Sequence, residues 1–199
     1  MLRKKLIVDS YSIKEQGESQ GESQGDCQNP LDILNAISYN PSMTTKTKNQ
    51  TVNDLSEALR KLLATLDEFT KTYLVCSLWA SLDPDHETDP ENHGENLDDN
   101  YSIENFAPET LQRMIEDCQK FQQDNQELLN QCEDSDHPIP NSGWLSHAGH
   151  DFWLTRNHHG AGFWDGDYPE EIGEKLTEYS HKQGELNLYA GDDDQLYFM

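Results

Sequence analysis

The feature that most constrains this chain is an apolar stripe that begins abruptly after residue 51. Leu55, Leu59, Leu62, Leu63, Leu66, Phe69, Tyr73 and Leu74 recur at the spacing of one helix face, with no Gly or Pro before Pro84. This predicts a long amphipathic helix or two closely joined ones, which must bury that face against another element. The end of the stripe, 73–79, is apolar nearly all round and is expected to be buried. A second helix is expected to start near Pro108, with Leu111, Met114, Ile115, Cys118, Phe121, Leu128 and Leu129 on one face, and to stop before 136–140. Packing the two together is the simplest way to bury both stripes.

What precedes the stripe is different in kind. Residues 10–50 are dominated by Ser, Gln, Gly, Asn and Thr, and 17–20 is repeated in tandem at 21–24. Such a stretch buries too little apolar surface to offset its chain entropy. We read 1–50 as a flexible leader, with Leu31, Leu34 and Ile37 as a short docking turn, and 51–199 as one acidic domain. Met1 to Val8 starts like a signal peptide, but its apolar part ends too early for one.

Charge follows the same boundary. The net charge is −24. The leader holds six bases and six acids, which leaves eight bases and 32 acids in 51–199. A body of that potential repels nucleic-acid phosphates and anionic membranes, so direct nucleic-acid binding and membrane binding are not expected. The acidity serves solubility, suits a salty medium, or attracts a basic protein. Residues 83–100 alone carry eight acids and no base, in a loop long for a compact domain. The four cysteines show no paired metal-ligand spacing, which points to a reduced, cytoplasmic protein, and no cofactor is implied.

The last third reads as strands. Phe152-Trp-Leu-Thr-Arg156 and Ala161-Gly-Phe-Trp164 flank an Asn/His/Gly turn, the pattern of a β-hairpin. Asp167 is placed to cap a helix with Pro169 at its start, Ile172, Leu176 and Tyr179 inward, and Gly184 at its end. Leu186 and Leu188, then 196–198, bracket Gly191-Asp-Asp-Asp194 as a second hairpin, whose three carboxylates lack EF-hand spacing. The expected fold is α+β: two amphipathic helices (51–135) followed by a small antiparallel β-β-α-β-β unit (144–199).

Residues 143–167 hold three of the four Trp and four of the eight His. His150, Asp151, Arg156, Asn157 and His159 are the catalytic candidates, as an acid–base site with an anion clamp. His147, His150 and His159 are weak metal candidates, without the spacing of a known metal motif, so no metal is predicted. Arg156 is the only base between Lys120 and Lys175, and the simplest role for it is a buried ion pair with Asp151 or Asp165. Phe152, Trp153, Phe163 and Trp164 are expected mostly in the core, with Trp153, Trp164 and Asp165 the candidates for binding a partner.

His150-Asp-Phe-Trp-Leu-Thr-Arg-Asn157 followed by His159-Gly-Ala-Gly-Phe-Trp-Asp165 resembles the hallmark of a bacteriophage and mobile-element protein family to which no activity is attached. The resemblance extends to 73–79, 118–125, 173–177 and 188–193, and leaves out the leader. The family pattern has Gly where this chain has His158, at a turn position where a left-handed backbone suits Gly better. The resemblance implies phage or plasmid origin and action in the bacterial cytoplasm. With the acidity, it gives the expectation of a non-enzymatic interaction protein that modulates a basic host protein, one that handles nucleic acid or serves defence. The alternative is a small enzyme or ligand-binding protein centred on 147–165.

Overall fold

In a computed structural model, residues 57–83, 95–133 and 143–199 are described. The leader with its 31–37 turn, most of the acidic loop (84–94) and the 134–142 connection lie outside the described residues.

The long stripe is two joined helices. Residues 57–65 are helical (α1), and α2 runs Glu68–Trp79. The break has a cause: Asp67 adopts an extended backbone, and its carboxylate accepts a hydrogen bond from the Thr70 N–H at 2.7 Å. That satisfies an N-terminal donor of a new helix. A two-stranded antiparallel ladder follows, β1 (Leu82–Asp83) on β2 (Glu95–Asn96), then the short α3 (Leu97–Asn100) and a 3-10 turn (Ile103–Asn105). The second predicted helix is α4 (Pro108–Asp124), with Pro108 at its start, continued past Asn125 by α5 (Gln126–Glu133).

The predicted first hairpin is not there. Trp144–Arg156 is a helix, α6, and 157–169 are turns that fold back along it. The expected β-β-α-β-β unit is therefore corrected: among the described residues the protein is mostly helical, with strands only in two small ladders. The error has a physical reason. Ten of the thirteen α6 residues are buried, polar ones among them, so the helix is covered nearly all round and shows no 3.6-residue apolar stripe. Its aromatic and β-branched run looks like a strand instead.

α6 is the central element. It packs most extensively on α2, and Gly149 makes the close approach feasible, since a β-carbon there would run into the Phe69 carbonyl. Around this crossing lies an aromatic core. Phe121 stacks on Phe152 at 4.0 Å and on Phe163 at 5.7 Å, and Tyr73 meets the edge of Trp153 at 5.3 Å. Helix α7 (Glu170–Gln183) closes the core with Ile172 and Leu176, and Gly184 ends it with φ +76. Tyr179, expected inward, is exposed. Pro169 sits at the α7 cap, so Asp167 does not cap it. The C-terminal hairpin is present: β3 (Leu188–Ala190) pairs with β4 (Leu196–Phe198). Asp193 organises its tip, accepting from the Tyr197 hydroxyl at 3.0 Å. Ala107 N–H to the Leu196 carbonyl, at 3.0 Å, ties that hairpin to the start of α4.

Candidate functional site

The motif separates into two clusters, one at the C-terminal end of α6 and one around its middle. At the C-terminal end stands Arg156, fully buried. Its Nε donates to the Gly184 carbonyl at 2.9 Å and one terminal nitrogen donates to the Gln183 carbonyl at 3.2 Å. The other donates to the Tyr73 hydroxyl at 2.7 Å and to Asp117 Oδ2 at 3.0 Å. The guanidinium thus joins α6 to α2, α4 and the carbonyl-rich end of α7, where a cation also suits the helix dipole. The expected partner is corrected: Arg156 pairs with Asp117, not with Asp151 or Asp165. The sequence held no signal for a partner 39 residues away.

Asn157 is half-buried. Its amide donates to the Trp153 carbonyl at 2.9 Å and its oxygen accepts from the Leu186 N–H at 2.8 Å. His158 has φ +56, a left-handed backbone. Its Nε2 lies 3.5 Å from Glu185 and its ring 4.4 Å from that of His181. His159 is half-buried and its pKa is lowered by burial. Asp165 is exposed and accepts from the Gly162 N–H at 3.3 Å. Trp153 is core, a correction to its place as a binding candidate, whereas Trp164 is 55% exposed.

The second cluster lies in the middle of α6 and centres on Asp151, 2% exposed. One carboxylate oxygen is 3.0 Å from His150 Nδ1, and the other accepts from the Tyr168 hydroxyl at 2.9 Å and lies 3.2 Å from His147 Nε2. His147 Nε2 is also 3.2 Å from Asp167, an exposed residue. The rings form a ladder. Tyr168 to His147 is 5.6 Å, His147 to His150 is 6.5 Å with planes within 9°, and His150 to Trp79 is 6.0 Å. Helical spacing makes it: positions 147, 150 and 151 share one face of α6. Reading 152–156 as a strand hid this, because neighbours on a strand point apart. Tyr168, Asp167 and Trp79 come from other segments and carried no sequence signal for the cluster.

The chemistry available is limited. Burial, then the Asp151 carboxylate, pushes the Tyr168 hydroxyl up strongly, so it remains a proton donor. Burial pushes the Cys76 thiol to about 12 and Cys132 to about 11, and raises Cys118 well above the ordinary range, so none of the three offers a thiolate near neutrality. His150, with a 40% exposed side chain and Nδ1 at a buried carboxylate, has the arrangement of an oriented base. The five catalytic candidates do not converge: His150 and Asp151 share the mid-helix cluster, while Arg156 is the last residue of α6 and Asn157 and His159 follow it. Of the metal candidates, His147 and His150 face Asp151 and His159 is remote from both. Among the described residues no group of three or more His, Cys, Asp or Glu side chains is placed to hold a metal ion, and no helix is long and apolar enough to cross a membrane.

Comparison of the chain with protein-family models, with curated proteins and with solved structures gives no match.

Proposed function

We propose that the chain is a non-enzymatic, acidic interaction protein of phage or plasmid type. It engages a basic protein of the host cytoplasm, one that handles nucleic acid or serves defence. The observation that carries this reading is the inward use of the motif. Arg156, Asn157 and Asp151 place their polar atoms on protein groups inside the fold, while the acids of the body remain as its outward chemistry. Charge complementarity of this kind acts mainly on the association rate and is screened within about 8–10 Å at moderate salt. The test is co-purification from expressing cells, followed by kinetics on the recovered complex at low and moderate salt. A steep fall in on-rate supports the reading; salt-insensitive affinity removes it.

One observation favours a second reading, an acid–base site. His150 stands half-open to solvent with Nδ1 on buried Asp151, the geometry of an imidazole held for proton transfer. On that reading His150→Ala abolishes biological activity while the melting temperature stays near that of the parent. An active His150→Ala protein would leave the cluster as architecture.

A further inference from the structure

We propose that Val75, Trp79 and Leu82 form the anchor of the partner interface, and that Trp79 receives an arginine or lysine side chain of the basic partner. This rests on the reading above that the body engages a basic protein. α2 buries Phe69, Thr70, Tyr73, Leu74, Cys76, Ser77 and Leu78, yet leaves Val75 55% and Trp79 51% exposed. These two are one turn apart on the same helix face. Leu82, three residues on, is 50% exposed. Among the described residues the other exposed large apolar side chains, Leu145, Trp164, Tyr179, Tyr189 and Met199, are separated from one another in sequence. On its inner side Trp79 meets the His150 ring, which Asp151 holds.

Charge selects the occupant. The patch leads directly into 83–100, with its eight acids and no base. Within the described residues, the Leu97 N–H bonds the Ser81 carbonyl at 2.9 Å. That places α3, with exposed Asp98 and Asp99, beside the strand that carries Leu82. A second copy would bring another −24 against this acid, and nucleic acid or an anionic membrane would be repelled. The leader is neutral overall. A basic segment of another protein is attracted, and a guanidinium or ammonium over an indole face gains a cation–π contact in addition. Tryptophan is also among the residues that most often form interface hot spots.

The test uses the full chain and a dye-labelled nine-residue oligo-arginine peptide as probe, read by anisotropy at low salt and at about 150 mM. Trp79→Ala is expected to weaken binding about tenfold at both salts, and Trp79→Phe to restore part of it. Tyr189→Ala, at an exposed aromatic of the C-terminal hairpin outside the patch, is expected to change it less than about twofold. Equal affinity of Trp79→Ala and parent, with binding still salt-sensitive, would overturn the anchor and leave the acidic-interaction reading standing. Failure of the parent to bind at low salt would overturn both. A dimer that Trp79→Ala dissociates would give the face to a second copy and overturn the proposal as well.

Discussion

Arg156 and Asp117 face each other at 3.0 Å across the α6–α4 junction, the guanidinium with no exposed surface and the carboxylate nearly covered. Replacing Arg156 by Ala removes the donor from Asp117, from the Tyr73 hydroxyl and from two carbonyls at the end of α7. Breaking a buried pair in this way costs about 3–5 kcal/mol. Arg156→Ala is therefore expected to unfold at much lower urea than the parent. Arg156→Lys, which keeps the charge and loses the fork, is expected to fall between them. A midpoint unchanged by Arg156→Ala would refute the structural role.

Tyr168 donates its hydroxyl proton to a carboxylate that is almost entirely buried. Tyr168→Phe keeps the ring against Trp144 and Phe163 and deletes only that donor. The expected cost is about 1–3 kcal/mol, the range for leaving a buried polar group short of a partner. Urea denaturation reads it directly. A cost near zero would mean that His147 and His150 alone satisfy Asp151.

How much of this was legible depends on whether a segment shows water one of its faces. α4 does, and its stripe from Leu111 to Phe121 is the buried face the sequence marks. The β3–β4 hairpin is legible because Gly191 to Asp194 supply turn chemistry between two short apolar runs. α6 is not, because Trp144, Phe152, Trp153 and Leu154 are buried on several sides at once and leave no period to read. The site inherited that error: His147, His150 and Asp151 form a cluster only on a helix, and Asp117, Tyr168 and Trp79 join through tertiary packing. The apolar residues around Val75 and Trp79 in sequence predict that both are buried, yet both face solvent.

His158 holds a left-handed backbone, φ +56, where Gly would be unstrained. A side chain there costs roughly 1 kcal/mol or somewhat more, partly offset by the entropy that Gly adds to the unfolded chain. Its contacts with Glu185 and His181 are exposed and contribute little. His158→Gly is expected to raise stability by up to about 1 kcal/mol, a shift of a few degrees in Tm. A drop in Tm would show that the His158 ring contacts outweigh the backbone term.

Cys76, Cys118 and Cys132 are buried thiols with raised pKa values. At pH near 8 they are expected to resist a thiol reagent until the protein opens, whereas all four cysteines should react promptly in denaturant. Mass spectrometry of the labelled native protein checks this. Prompt labelling of Cys76 or Cys118 would place a frequent opening of α2 or α4 in the native ensemble.

His159 sets an acid dependence whose sign can be worked out. Burial lowers its pKa below the ordinary histidine value of about 6.5. The unfolded chain therefore takes up its proton first as pH falls, and the folded state loses relative stability. The contribution is fully present above about pH 6.5 and is lost as pH drops through the lowered folded value. His159→Gln removes the titration and keeps a polar side chain of similar reach. The parent should lose more Tm than the variant between neutral pH and about pH 5. Because the chain has eight histidines, the difference between the two slopes is the quantity to measure, since the absolute slope of either includes the others. Parallel Tm curves for the two proteins would mean that His159 protonates equally well in the fold and in the unfolded chain.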